Sequence, residues 1–377
     1  MTNKEAGCLV KIPTELLGKE VAVKRIDSEL REYFAADTGI ARASLINLAV
    51  YSESVEKVNR NTEIIQELTR EHACRALLIV SQPEGEMAVR AWVQAHCNID
   101  SSGGKAVCSE QVSFLLCGSS ADMVRNIVFA HLDADLPLIF WWQGELSEVF
   151  EERLFSRIGR LIVDSRDWVD PAVQFLRLAS AAQEGEATYI LHDIAYTQSN
   201  QLREAVALCF DDPAALAQVS ALEKVEISYR AGQRMTAVWL VAWLANRLRA
   251  ELNPAVSDGE SYVFESGMGR QQVLKVGLTE QTEAELSEAE MPGSAILKVS
   301  LLAAEGGARF DIVRSDDGQG SGFWHLRRSI PGCAETSELW PIRSFGDVGL
   351  VGEILMRAGQ NRMMIELLSQ VRSLLTV

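Results

Sequence analysis

Runs of apolar residues alternate with helical patterns along the first half of the chain. A helical spacing over residues 13–34 precedes a strand-length apolar run at 43–51, and a second helical spacing extends over 52–68. Another strand-length run follows at 75–80. A strand, a helix and a strand in this order predict a crossover connection, and hence a parallel pair of strands covered by helices.

The period of the pattern then changes from helical to two. Apolar residues alternate with polar ones over 91–99 and again over 106–117, around a Ser- and Gly-rich stretch at 100–104. Two half-buried strands around such a turn predict a β-hairpin. Helical and strand patterns alternate again up to residue 182. We therefore predict an N-terminal α/β domain, residues 1–185, whose mixed β-sheet is covered by helices.

The pattern beyond residue 185 is typical of another kind of domain. Short strand-like runs separated by Gly and Asp turns lie between residues 225 and 327, with helical runs before, among and after them. The last helical region, 348–375, is broken near Gly359. These runs predict a C-terminal α+β domain, residues 186–377, with a mostly antiparallel sheet.

The charge of the chain narrows the range of partners. Its 377 residues include 36 Lys and Arg against 52 Asp and Glu, a formal net charge of −16. Such a surface repels phosphate backbones and anionic lipids, so we expect neither a nucleic-acid nor a membrane partner.

No apolar run approaches the ~20 residues that span a bilayer, and the first residues lack the apolar core of a secretion signal. The seven cysteines are odd in number and include no CxxC pair, which favours reduced thiols and a cytoplasmic location.

Motifs of common enzyme classes are missing from the sequence. The five histidines show no zinc-binding spacing, and neither a nucleophile-elbow motif nor a Walker-type phosphate loop occurs. We therefore predict no catalytic residues, no metal and no cofactor.

Two adjacent tryptophans, Trp141 and Trp142, end a predicted strand at 136–142. Strand geometry sends their side chains to opposite faces of the sheet at its carboxyl edge, where α/β sheets usually bind ligands. Two interpretations stay open. The rings either stack on a sugar or anchor a partner protein, or they pack beneath the helices on each face of the sheet.

Glu110 is predicted on the apolar face of the second hairpin strand, where an unpaired carboxylate is costly. Its candidate partners are Arg42, Arg75 and Arg125. One interpretation is a structural ion pair, and the other is a binding site in which Glu110, Arg42 and Arg75 line a ligand cleft. No second carboxylate or histidine completes an acid–base pair with Glu110, so the pattern does not favour catalysis.

A symmetric hairpin places Cys97 opposite Cys108, in the register that also pairs Val93 with Val112. The facing residues form either a cross-strand disulfide, and hence a redox pair, or two reduced thiols packed as small hydrophobic groups. We favour the reduced thiols.

Several segments, taken together and in order, resemble one protein family. They are 41–51 (ARASLINLAVY), 75–80 (RALLIV), 108–118 (CSEQVSFLLCG), 133–145 (DADLPLIFWWQGE), 160–168 (RLIVDSRDW), 192–198 (HDIAYTQ) and 238–248 (VWLVAWLANRL). The strand with the two tryptophans and the strand with SEQV are the most specific of these. Over about residues 40–250 the chain resembles the OpcA family of glucose-6-phosphate dehydrogenase assembly proteins.

The resemblance implies a non-enzymatic protein that associates with glucose-6-phosphate dehydrogenase. Such a protein promotes the active oligomer or the substrate affinity of the dehydrogenase in the oxidative pentose phosphate pathway. The alternative that we keep open is a sugar-phosphate-binding enzyme or sensor, with a cleft at the strand ends near Trp141 and Glu110. A structural subunit without regulatory effect is a third possibility. The sequence leaves the chain's own oligomeric state open.

Overall fold

The computed structural model describes residues 12–35, 40–98, 106–183, 189–266, 273–282, 295–304, 307–316, 322–342, 346–357, 359 and 361–377. The chain divides into two compact units. The first comprises residues 1–169, 177–192 and 351–360, and the second comprises residues 170–176, 193–350 and 361–377. The domain boundary after residue 185 stays a prediction.

The first unit is built on a nine-stranded mixed sheet. In chain order the strands are β1 (Lys19–Val21), β2 (Ile40–Arg42), β3 (Ile46–Ser52), β4 (Cys74–Gln82), β5 (Ala88–Asn98), β6 (Ala106–Cys117), β7 (Leu138–Gln143), β8 (Arg160–Val163) and β9 (Ile190–Asp193). They lie in the order β1-β5-β6-β4-β3-β7-β8-β9, and β2 pairs with the start of β6. The pairs within β6-β4-β3-β7-β8 are parallel, whereas β5 pairs antiparallel with β6 and with β1. The predicted α/β fold with a mixed sheet is confirmed.

Five α-helices among the described residues of this part of the chain lie between its strands in the sequence. They are α1 (Ile26–Ala35), α2 (Val58–Leu68), α3 (Ala121–His131) and α4 (Glu152–Phe155), followed by α5 (Pro171–Gln183), which spans both units. Apolar residues at helical spacing in α2, among them Val58, Ile65 and Leu68, are buried. From β3 the chain adds β4 and β6 on one side and then β7 and β8 on the other. The direction of winding therefore reverses between β3 and β7.

The predicted first helix over 13–34 is wrong in its first half. Residues Lys19–Val21 form the edge strand β1, which pairs antiparallel with β5, and α1 begins only at Ile26. The turn into β1 needs a glycine, because Gly18 has φ +82° and a Cβ there would lie 2.5 Å from the carbonyl oxygen of Val93. The apolar spacing of this segment fits a short edge strand as well as a helix.

The hairpin of β5 and β6 has the predicted register. Cys97 lies opposite Cys108, and Val93 lies opposite Val112. The pairing continues without a bulge from Ala88 to Asn98. Because a slip by one residue would turn every side chain to the other face, the alternation of apolar residues is sufficient to fix this register.

The second unit is built on an eight-stranded sheet. Its strands are β10 (Leu222–Arg230), β11 (Ala250–Leu252), β12 (Ser261–Ser266), β13 (Val273–Gln281), β14 (Ile296–Ala303), β15 (Arg309–Asp316), β16 (Gly322–Ser329) and β17 (Thr336–Ile342), in the order β11-β12-β13-β10-β14-β15-β16-β17. β10 and β13 pair in parallel, and the other pairings are antiparallel. This confirms the predicted α+β C-terminal region with a mostly antiparallel sheet.

The later helices are α6 (Ile194–Gln198), α7 (Asn200–Leu208), α8 (Pro213–Leu216), α9 (Arg234–Leu248), α10 (Asp347–Met356) and α11 (Arg362–Leu375). α9 is buried on nearly every side and contacts β10, α6 and α11. The indole Nε1 of Trp239 in α9 donates to Oδ2 of Asp193 at 2.8 Å, and Oδ1 of Asp193 caps α6 through the backbone NH of Ala195. Among the described helices, none combines the length and the apolar character needed to cross a bilayer.

Candidate functional site

Three residues that the sequence singled out converge at the amino edge of the first sheet. Arg42 ends β2, Arg75 is the second residue of β4, and Glu110 lies in β6. β2 and β4 pair one after the other along the same side of β6, with Arg42 opposite Cys108 and Arg75 opposite Glu110. Consecutive pairing along one strand is what brings both guanidinium groups to the same carboxylate.

Glu110 is buried between the two arginines. Its side chain is 1% exposed, with Oε1 2.8 Å from Nε of Arg42 and Oε2 3.3 Å from Nη1 of Arg75. Nη2 of Arg75 also lies 3.3 Å from Oδ1 of Asp27 in α1. Burial raises the pKa of Glu110 above its ordinary value, and the neighbouring Arg75 and Arg42 only partly offset this effect. The structure thus forms the predicted ion pair with two of the three candidate partners. The third candidate, Arg125, pairs with Asp122 and Glu151 instead.

A cavity of about 550 Å³ opens beside this cluster. Its lining is apolar on one side and charged on the other: Leu30, Phe34 and Ala35, then Asp27, Arg31, Arg42, Arg75 and Glu110. The Arg42 side chain is 42% exposed and that of Arg75 is 8% exposed. The buried Nε of Arg75 has no hydrogen-bond partner within the part of the chain that the structure describes. Three guanidinium groups beside two carboxylates fit a small anionic ligand that also carries an apolar part.

The two tryptophans do not belong to this cavity. Trp141 is 3% exposed and Trp142 is 0% exposed. Trp142 packs against Tyr51, with ring centroids 4.4 Å apart, and its Nε1 donates to the carbonyl oxygen of Glu145 at 3.0 Å. Both rings are therefore buried, as the second interpretation expects. Neither ring is exposed enough to stack on a sugar or to anchor a partner protein.

A single cleft near Trp141 and Glu110 is not formed. β7, which carries Trp141, lies three strands away from β6, a separation of about 14 Å across the sheet. The two residues also lie toward opposite ends of the parallel strands. The cavity lining includes Glu110 but not Trp141. The expectation of one cleft formed by both residues is wrong, because β4 and β3 lie between the strands that carry them.

The carboxyl edge of the sheet, between β3 and β7, is closed by polar side chains that the sequence did not single out. The amides of Asn61 in α2 and Gln143 at the end of β7 exchange two hydrogen bonds, at 2.9 and 2.8 Å. Tyr51 in β3 donates to Oε1 of Glu53 at 2.8 Å. In open α/β sheets the reversal of winding is the usual ligand site. Here the chain places a buried amide pair and a carboxylate at that point. Predicting this pair would have required the strand order.

Cys97 and Cys108 are joined by a disulfide bond, with Cα atoms 4.0 Å apart. The prediction that this pair consists of reduced thiols is therefore wrong. Cys108 is buried, whereas Cys97 at the same rung is exposed. Cys74, Cys209 and Cys333 are free thiols, and Cys117 is also disulfide-bonded.

The described residues contain no group of three or more His, Cys, Asp or Glu side chains arranged to hold a metal ion.

Two family models match the chain along most of its length. One is described as the glucose-6-phosphate dehydrogenase subunit N-terminal domain and matches residues 65–180. The other is described as the C-terminal domain of the same subunit and matches residues 189–344. The chain belongs to the OpcA family. The family resemblance noted in the sequence is thereby confirmed.

Curated OpcA proteins are similar to this chain over part of their length. A protein of Nostoc punctiforme named OxPP cycle protein OpcA is 25% identical over 239 residues, which cover 63% of this chain and 49% of the relative. A protein of the same name from Synechococcus elongatus is 28% identical over 188 residues, which cover 48% of this chain and 41% of the relative. The chain thus matches about half of these relatives or less.

Solved structures share its general arrangement only loosely. A super-repressor mutant of Gal80p from Saccharomyces cerevisiae aligns over 89% of this chain and 96% of its own, with 8% identity and a TM-score of 0.44. A likeness at this level carries no weight for function.

Proposed function

We propose that this OpcA chain is a non-enzymatic assembly factor and allosteric activator of glucose-6-phosphate dehydrogenase. It acts by protein–protein contact at the start of the oxidative pentose phosphate pathway. The observation that carries the proposal is the match of two models named for a subunit of this dehydrogenase, which together extend from residue 65 to residue 344 with a short gap. Relatives named for the OxPP cycle add to this support.

The first sheet supports a role without substrate turnover. The point where its winding reverses holds the reciprocal Asn61–Gln143 amide pair, and both side chains are at most 8% exposed. The segment that follows β3 places Glu53 and Glu56 before α2, where a dinucleotide-binding fold would place glycines against a pyrophosphate. Carboxylates at this position repel such a ligand.

Activation by contact requires unequal affinity for two states of the dehydrogenase. A chain that binds the active state tenfold more tightly than the inactive state shifts their equilibrium by about 1.4 kcal/mol. This preference lowers the apparent KM, raises kcat, or enlarges the oligomer. Because dissolved ions screen attraction between opposite charges on the two surfaces, we expect added salt to weaken the electrostatic part of the association.

The test combines the purified chain with the glucose-6-phosphate dehydrogenase of the same organism. Size-exclusion chromatography with light scattering measures whether the two co-elute and whether the dehydrogenase oligomer grows. The proposal requires co-elution. It also requires that the isolated chain forms no NADPH from glucose 6-phosphate and NADP. Separate elution of both proteins, or turnover by the isolated chain, would contradict it.

A second candidate function is that of a sugar-phosphate sensor, supported by the cavity beside Arg42, Arg75 and Glu110. Calorimetric titration of the chain with glucose 6-phosphate tests it, with inorganic phosphate as the comparison. Arg42→Met removes a guanidinium that is 42% exposed and is expected to abolish the binding of a sugar phosphate without unfolding the chain. Absence of heat for both ligands at millimolar concentration would eliminate the sensor.

The cytoplasmic location stays a prediction. Reduced thiols no longer support a cytoplasmic location, because Cys97 and Cys108 are bonded to each other. The prediction of this location now depends on the proposed role in the pentose phosphate pathway.

A further inference from the structure

The two faces of the second sheet differ in their surroundings. α7 and α9 contact one side of it. In β10, Val225 and Ile227 are buried on that side, whereas Lys224 and Glu226 alternate with them and are about half exposed. We call the side chains of β10 and β13–β16 that point away from α7 and α9 the open face.

Strand pairing brings basic side chains together on the open face. Lys224 lies beside Lys275, and Asp311 lies beside Arg327. The basic residues of this face include Lys224, Lys275, Lys298, Arg309 and Arg327. Neighbouring strands are about 4.8 Å apart, so these charges extend across five strands as one patch.

The regular alternation of these strands places Glu226 and Asp311 on the same face. Glu226 pairs with Lys224 at 2.5 Å, and Asp311 pairs with Arg309 at 2.6 Å. Within the described part of the chain, Lys275 and Arg327 lie in no ion pair, whereas the charge of Lys298 acts on Asp311 and helps to lower the pKa of that carboxyl. The basic side chains outnumber the acidic ones on this face, which leaves a local excess of positive charge on a chain whose net charge is −16. The open face therefore carries a local charge opposite in sign to the net charge of the chain.

The borders of the open face differ from its centre. Toward one edge, Glu251 and Glu265 face each other across β11 and β12 and end the basic patch. Toward the other edge, Leu339 of β17 lies beside His325 and is 61% exposed. A broad, flat sheet with a basic centre and an exposed apolar residue at its border fits an extended protein surface better than a small ligand.

We propose that the open face is the docking surface for the acidic surface of a partner protein. This rests on the proposed function, in which the partner is glucose-6-phosphate dehydrogenase, and adds to it the part of the chain that makes the contact. The occupant is a protein surface rich in Asp and Glu, because Lys275, Lys298 and Arg327 attract carboxylates and the exposed Leu339 offers an apolar contact. A phosphate backbone is disfavoured by the charge of the whole chain.

The test compares two charge-reversed forms of the full chain. The face variant carries Lys275→Glu, Lys298→Glu and Arg327→Glu. The control variant carries Arg70→Glu, Arg153→Glu and Arg362→Glu, which are exposed arginines outside the open face. Both variants change the net charge equally. A neutral form with Lys275→Gln, Lys298→Gln and Arg327→Gln provides the measurement if charge reversal prevents folding.

Affinity for the dehydrogenase is measured at about 50 and about 300 mM salt. The face variant is expected to bind roughly 30-fold more weakly than the wild type at the lower salt concentration and to lose most of the salt dependence. The control variant is expected to stay within about threefold of the wild type. If the wild type binds and the face variant binds equally well, the assignment of the open face as the docking surface is wrong, but the proposed function stands. If the wild type does not bind, both are wrong.

Two further outcomes would overturn the docking surface alone. An equal loss of affinity in the control variant would mean that overall charge, not this face, governs the association. A wild-type chain that is a dimer in solution, and that the face variant turns into a monomer, would assign the open face to a second copy of the chain.

Discussion

Asn61 and Gln143 are hydrogen-bonded to each other in both directions, 82 residues apart in the chain. The pair links the first turn of α2 to the last residue of β7 and closes the point where the first sheet reverses its winding. Both amides are buried, so each depends on the other for its hydrogen bonds. The proposal of a binding protein without turnover draws its structural support from this closure.

Replacing one member of the pair should cost more than replacing both. Gln143→Ala leaves the Asn61 amide buried without its partner, and we expect a loss of about 1–3 kcal/mol in the free energy of unfolding. The double variant Asn61→Leu, Gln143→Leu removes both polar groups and should lose clearly less. Urea denaturation measures both, and Gln66→Ala on the exposed side of α2 is the control. Equal losses for the single and double variants would show that the pairing itself contributes nothing.

Removing Arg75 should destabilise the chain in a pH-dependent way. Arg75→Met leaves the buried Glu110 with Arg42 alone, and we expect a loss of about 2–4 kcal/mol near neutral pH. Burial already raises the pKa of Glu110, and loss of Arg75 raises it further. Protonation of Glu110 in the folded variant then relieves the cost as the pH falls toward about 5. Arg70→Met, which removes an exposed arginine paired with Glu67, should lose at most about 0.5 kcal/mol at either pH. A deficit of Arg75→Met that does not shrink at lower pH would contradict the role of Glu110.

The disulfide between Cys97 and Cys108 should stabilise the hairpin. It closes a loop with a sequence separation of 11 residues, for which the loss of chain entropy in the unfolded state gives about 2–3 kcal/mol. The double variant Cys97→Ala, Cys108→Ala should therefore unfold at lower denaturant concentration than the oxidised wild type. Mass spectrometry after alkylation establishes the bonded state before each measurement. Equal stability of the variant and the oxidised wild type would remove any structural role for the bond.

His192 should make the stability of the chain sensitive to acid. Burial, together with Arg160 and Arg357, lowers the pKa of His192 to about 4 from an ordinary value of 6.5. Below about pH 6.5, His192 binds a proton in the unfolded chain but stays neutral in the folded chain. The free energy of unfolding is therefore highest above about pH 6.5 and falls as the pH decreases toward 4. The decrease from this group amounts to about 3 kcal/mol. His192→Leu should flatten the curve of unfolding free energy against pH between 6.5 and 4. An unchanged slope would contradict the assignment.

The elements that depend on local pattern could be predicted from the sequence. The parallel strands, the hairpin of β5 and β6, and the antiparallel second sheet follow from apolar periodicity and turn residues. The ion pair of Glu110 with Arg42 and Arg75 followed from the cost of burying a lone carboxylate on that face.

Features that depend on strand order could not be predicted. β1 pairs with a strand about 70 residues later, and its own three residues do not reveal that partner. The burial of Trp141 and Trp142 depends on the elements that cover β7, and the pairing of Asn61 with Gln143 depends on β3 and β7 being neighbours. The bonding of Cys97 to Cys108 could not be predicted either, because the register brings the two sulfur atoms together without deciding their oxidation state, and the sequence favoured reduced thiols.

The most direct measurement is the steady-state activity of the cognate glucose-6-phosphate dehydrogenase during titration with this chain. The account predicts a saturable fall in KM for glucose 6-phosphate, a rise in kcat, or both, reaching a plateau at a fixed ratio of the two proteins. Values of KM and kcat that stay constant up to a large molar excess of the chain would contradict it.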